Sequence, residues 1–135
     1  MKIQHVPVEF AAQTWGLVRD FLAESQQYAQ GDYTLDQVQM YVCTGQWLLL
    51  VATDEDQTIH GAMTVEFVNK PTKRVAFVTG TGGKFIINAD TFEQLENICR
   101  VKGATAIECA ARESVAKLLT RFGFEEKYRI IGVSL

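Results

Sequence analysis

The stretch Val75-Ala76-Phe77-Val78-Thr79-Gly80-Thr81-Gly82-Gly83-Lys84 decides the fold. Its first half is apolar and valine-rich, the composition of a buried strand. Its second half holds Gly80, Gly82 and Gly83. A strand that runs into a glycine-rich turn ahead of a helix presents main-chain N–H groups, and such groups can hold phosphate oxygens.

Downstream, Asp90 and Glu93 form a capping-box pair, and Phe92, Leu95 and Cys99 recur at helical spacing until Gly103. Thr105 to Cys109 alternates as a strand. Val115, Leu118, Leu119 and Phe122 mark one face of a helix that Gly123 ends. Tyr128 to Val133 has the composition of a last strand.

Upstream, Ile3 to Val8 contains a proline and suits an edge strand. Ala11, Trp15, Val18 and Leu22 predict an amphipathic helix. After a polar loop, Thr34 and Gln37 form a second capping box over Leu35, Val38 and Val42. Trp47 to Val51 predicts a strand buried on both faces. Thr58 to Val68 and Arg74 to Thr79 complete a meander across the turn Asn69-Lys70-Pro71-Thr72. The order is β-α-α-β-β-β-α-β-α-β. It predicts one α/β domain over residues 1–135, a mixed central sheet of about six strands with four helices on both faces.

Composition narrows the function. The chain has 135 residues, 47% hydrophobic and 21% charged, with a net charge of −3. That is the make-up of a folded domain. Its basic residues are scattered, which argues against a nucleic-acid partner. Cys43, Cys99 and Cys109 are widely spaced, and His5 and His60 are the only histidines, so no metal-ligand spacing exists. Reduced thiols, no leader pattern after Lys2 and no apolar run near membrane length predict a cytoplasmic protein without a membrane span.

Three phosphate-binding readings of the glycine segment compete. A Walker loop requires glycine five positions before Gly83 and Ser or Thr after Lys84, where Val78 and Phe85 stand. A dinucleotide fingerprint beginning at Gly80 requires a third glycine at Phe85. Both fail. A pyrophosphate loop following a central strand remains, with glycines admitting a close backbone approach and Lys84 adding charge.

That segment, with Lys102-Gly103-Ala104-Thr105-Ala106-Ile107-Glu108 and Leu118-Leu119-Thr120-Arg121-Phe122-Gly123-Phe124, resembles the second half of the GCN5-related N-acetyltransferase (GNAT) family. The resemblance covers Arg74 to Glu126. The first half agrees in element order, and the length and the Gly82-Gly83 pair are similar to divergent GNAT-like proteins of tailed bacteriophages.

The resemblance implies acetyl-CoA as co-substrate. The backbone of Phe77, Val78 and Thr79 would pair with its pantetheine arm, and Gly80, Thr81, Gly82, Gly83 and Lys84 would hold its pyrophosphate. It implies acyl transfer to an amine on a small molecule or a protein. Two departures favour the alternative of a non-catalytic phage protein that acts in virion assembly or binds a host protein. Leu119 stands where the family carries a tyrosine acid, and Phe85 to Ala89 separates the glycines from the next helix. A second copy of the chain is a further expected partner, and a phage origin would place the protein in the host cytoplasm.

Few other residues carry chemistry. Glu66, on the long strand, is the candidate general base, set against a solvent-facing carboxylate alternating with Val65 and Phe67. Glu108 has the same ambiguity. Cys109 lacks a histidine partner and reads as a core thiol. Arg112 opens a helix, where the dipole disfavours a cation, so it either faces a ligand or lies on the surface.

Overall fold

The computed structural model describes residues 1–85 and 88–135. The sheet holds five strands, β1 (Lys2–His5), β2 (Leu48–Thr53), β3 (Ile59–Lys70), β4 (Lys73–Gly83) and β5 (Ala106–Cys109), in the spatial order of the chain. The first four pair antiparallel and β5 joins β4 in parallel. The helices are α1 (Val8–Gln26), α2 (Leu35–Cys43), α3 (Ala89–Val101) and α4 (Glu113–Leu119), the last extended by a 3-10 turn at Thr120–Phe122.

Every residue of β2 is buried, as its unbroken apolar run requires. Leu48, Leu50 and Ala52 point to the layer that holds Leu95 and Cys99 of α3. Leu49 and Val51 point to the layer that holds Trp15, Val18 and Leu22 of α1 with Val38 and Val42 of α2. The sheet is therefore covered on both faces. The second layer is closed by Trp47, which stacks on Tyr41 at 4.6 Å between ring centres and meets Tyr33 edge-on at 5.1 Å.

Several local expectations shift by a few residues. The proline strand stops at His5, and Pro7 is the residue before α1, where its fixed φ suits helix entry. Thr34 and Gln37 cap α2 reciprocally as expected. The cap of α3 is Asn88 with Thr91, not Asp90 with Glu93. A short Asx side chain serves as well two residues earlier, so the helix starts at Ala89. Of the segment between the glycines and α3, Ile86 and Ile87 lie outside the described residues, while Phe85 is buried in the α3 layer.

Two corrections affect function. The glycine segment is not a turn. β4 continues through Gly83, with Gly80 opposite Thr64, Gly82 opposite Ala62 and Gly83 opposite Gly61. The sixth strand does not form either. Tyr128 to Val133 is neither strand nor helix, and its side chains stand in solvent.

The glycines follow from α1 crossing β4. A Cβ on Gly82 would lie 1.8 Å from the Phe21 carbonyl oxygen, and one on Gly80 would lie 2.8 Å from Ser25 Oγ. Gly82→Ala must push backbone apart and should cost about 1–3 kcal/mol. Gly16, by contrast, lies mid-helix with open space at its Cβ position, so Gly16→Ala should gain roughly 0.5–1 kcal/mol. Urea denaturation of the two variants should give midpoints on opposite sides of the wild type. Equal midpoints would mean that α1 does not press on β4.

Candidate active site

β4 outlasts its parallel neighbour. The last β4–β5 pair is Val78 with Cys109, and β4 runs on through Thr79 to Gly83. Among the described residues no strand lies beside that extension on the side away from β3. At the same point the β3–β4 register slips, with Val65 opposite Val78 but Thr64 opposite Gly80, so Thr79 is the extra residue of a bulge.

This geometry revises the proposed cofactor contacts. Phe77 and Val78 lie between β3 and β5 and pair with both, opposite Glu108 and Cys109 on the β5 side. Their backbone is not free for a pantetheine arm. Thr79 is engaged as well. Its hydroxyl lies 2.7 Å from Thr64 Oγ1, and its carbonyl accepts the hydroxyl of Tyr33.

The open edge begins beyond Thr79. Lys84 N–H donates to the His60 carbonyl at 2.9 Å. In an antiparallel ladder, pairing alternates, so Gly82 and Gly80 face β3 while the N–H groups of Thr81 and Gly83 face the open side. Gly83 N–H donates to Glu24 Oε2 at 3.4 Å, so a carboxylate of α1 already sits where an anion would be held. Gly83 also has φ of +70°, the left-handed conformation that glycine adopts without strain. Lys84 is exposed, and among the described residues its side chain makes no ion pair.

Glu66 is half-buried on β3, on the same face as Thr64, and lines a hollow of about 410 Å³ with Tyr41, Gln46, Trp47 and Phe67. Tyr33 bridges this hollow and the bulge, because its ring meets Trp47 while its hydroxyl reaches Thr79. Burial raises the Tyr33 phenol above its ordinary pKa, and the charges of Asp32 and Glu66 raise it further. It therefore keeps its proton at neutral pH. Sequence reading missed Tyr33 because it falls in a polar loop; only the fold brings that loop to the bulge.

The remaining candidates are structural. Glu108 pairs with Lys73 at 3.0 Å. Arg112 lies over the Tyr28 ring at 4.2 Å and donates to its hydroxyl at 3.0 Å, tying the start of α4 to the loop after α1. His60 Nε2 lies 2.7 Å from Asp54 Oδ2. Among the described residues no cluster of His, Cys, Asp and Glu could hold a metal ion, and no helix is long and apolar enough to cross a membrane.

No family model matches the chain, and no curated protein does. Solved structures do. A ribosomal-protein-alanine N-acetyltransferase from Brucella melitensis biovar Abortus aligns over 100% of both chains with a TM-score of 0.68 at 14% identity. An aminoglycoside acetyltransferase from an uncultured soil metagenomic sample aligns over 99% of this chain and 97% of its own, with a TM-score of 0.69 at 13% identity. A predicted acetyltransferase from Clostridium acetobutylicum, solved with acetyl-CoA, aligns over 98% and 95%, with a TM-score of 0.64 at 12% identity. The chain thus has a GNAT-like fold, with five strands in place of the expected six.

Burial raises the thiol of Cys109, and burial with the nearby Glu96 raises that of Cys99 to about 11. Both stay protonated at neutral pH. For Cys99 the folded pKa exceeds the unfolded value of 9.0, so its contribution to stability is lost as pH rises from there to about 11. Maleimide labelling at pH 7.5 should modify Cys99 and Cys109 at least tenfold more slowly in the folded protein than in urea. Rapid labelling of Cys109 in the folded state would restore it as a nucleophile candidate.

Proposed function

We propose that this protein binds an acyl-CoA thioester along the open end of β4 and passes the acyl group to an amine. The observation that carries this reading is the extension of β4 beyond its last β5 partner, with a bulge at Thr79. There the edge of a covered sheet is free to take an extended ligand by main-chain pairing. The likeness to acetyltransferase structures, one of them holding acetyl-CoA, supports it.

Thr81 and Gly83 N–H, with the Lys84 ammonium, are the groups that would hold the pyrophosphate of acetyl-CoA. The thioester supplies an activated carbonyl when bound. Glu66 takes a proton from the acceptor ammonium, directly or through water, so that a neutral amine can attack. Tyr33 holds a proton beside the bulge for the departing thiolate, a role that Leu119 cannot fill. Trp47 and Tyr41 give the acceptor an apolar wall next to the Glu66 carboxylate.

A second reading, a GNAT-like scaffold without catalysis that serves assembly or binds another protein, is favoured by Glu24. Its carboxylate engages the Gly83 amide and repels a phosphate brought to the same place. The glycines, moreover, are required by α1 whether or not a cofactor binds.

Titration calorimetry with acetyl-CoA separates the two. Binding in the micromolar range is expected. Glu24→Gln should tighten it three- to tenfold, about 1 kcal/mol, because a like charge is removed while an acceptor for Gly83 N–H is kept. Tyr33→Phe should leave affinity within twofold and lower turnover at least tenfold. No heat at millimolar acetyl-CoA would remove the transferase reading. Binding without transfer to any of a panel of amines would leave the scaffold.

A further inference from the structure

Thr79 is the residue that the β3–β4 ladder leaves over. Val65 stands opposite Val78 and Thr64 opposite Gly80, so Thr79 has no partner of its own across β3. The extra residue of a bulge is held by what its side chain and carbonyl reach, because the ladder does not hold it. The Thr79 hydroxyl lies 2.7 Å from Thr64 Oγ1. The Thr79 carbonyl accepts the Tyr33 hydroxyl.

Thr64 is the fixed end of this chain of contacts. It is 1% exposed and sits in the middle of β3. Gly80, opposite it, brings no side chain into the space between them. A Cβ there would lie 3.4 Å from Thr64 Oγ1 and 2.8 Å from Ser25 Oγ of α1. The Ser25 hydroxyl is spent on the Leu22 carbonyl, at 2.8 Å. Among the described residues no buried side-chain nitrogen or oxygen lacks a partner. Removing one hydroxyl of the Thr64–Thr79 pair would strand the other, which costs more than the bond itself is worth. Tyr33 is the mobile end, since it comes from the loop between α1 and α2 and reaches the bulge only through its phenol.

We infer that Thr64 is a positioning residue: its hydroxyl fixes Thr79, and the Thr79 carbonyl in turn holds the Tyr33 phenol at the end of β4. Thr64 is buried, so it acts through Tyr33 and not by touching a ligand. Without its hydroxyl the bulge relaxes, the Tyr33 phenol takes up other orientations, and water reaches it. A misplaced proton donor loses rate steeply, because the reacting atoms need a defined approach. The effect on turnover rests on the acyl-transfer reading; the effect on Tyr33 itself rests on these contacts alone.

The two effects are measured separately. N-acetylimidazole at pH 7.5, followed by peptide mapping, reads the exposure of each tyrosine phenol without any cofactor. Tyr33 should be modified about fivefold faster in Thr64→Val than in the wild type, the loss of roughly one hydrogen bond. Tyr128, 67% exposed, should react at the same rate in both. Thr79→Ala removes the same bond from the other side and should give the same result, should Thr64→Val fail to fold. Thr64→Ser keeps the hydroxyl and should behave as the wild type. In transfer assays Thr64→Val should lower kcat about tenfold with the KM for acetyl-CoA within twofold, and should add nothing in a Tyr33→Phe background. Unchanged Tyr33 labelling in Thr64→Val and Thr79→Ala would overturn the assignment. So would an equal loss of kcat with and without the Tyr33 hydroxyl. Faster Tyr33 labelling in a protein that acylates no amine would uphold the hold of Thr64 on Tyr33 and remove only the transferase reading.

Discussion

The close approach of α1 to the end of β4 governs the rest of this structure. A helix backbone lying against a strand backbone leaves no room for a side chain between them, and Gly82 at the Phe21 carbonyl is where that limit is reached. With α1 fixed there, Trp15, Val18 and Leu22 fall onto β2 and β3. Glu24 arrives at the Gly83 amide, and the loop after α1 delivers Tyr33 to Thr79. The architecture of the candidate site is thus a by-product of one packing contact. A glycine run that looks like an anion cradle is also the minimum that packing demands.

Much of the fold was legible in the sequence, for physical reasons that can be named. An unbroken apolar run such as Leu48 to Ala52 must be buried on both faces, and it is. Thr34 and Gln37 announce a helix start because their side chains satisfy backbone N–H groups that nothing else would. Gly103 and Gly123 mark stops because both adopt positive φ. Asp90 with Glu93 makes as good a local capping pattern as Asn88 with Thr91, and the fold uses the latter. The tail misled because Tyr128 to Val133 has every property of a strand except a partner, and partners are not written in local composition.

The site was less legible than the fold. Glycine signals backbone freedom and so suggests a turn, whereas here Gly80 and Gly82 serve proximity within a strand. Glu66 was found from its place on a long strand, but its neighbours Tyr41 and Trp47 come from another layer. Tyr33 carried no local signal at all. Its chemistry arises where a loop, a bulge and a hollow meet, which is information that only the assembled sheet contains.

The parallel pairing of β4 with β5 has a consequence for how the molecule assembles. β1 to β4 are joined by antiparallel register, and the β3–β4 hairpin closes across only Pro71 and Thr72. The β2–β3 and β3–β4 contacts are local and inexpensive in chain entropy, whereas β1 meets β2 only across α1 and α2. The β4–β5 ladder instead requires the whole 84–105 connection, α3 included, to be folded back first. Its four residue pairs are a small return for closing so long a segment. The two outer strands, β1 and β5, are thus each held by four pairs across a helix-bearing connection, and the central hairpins are the part of the sheet that can form from neighbouring sequence alone.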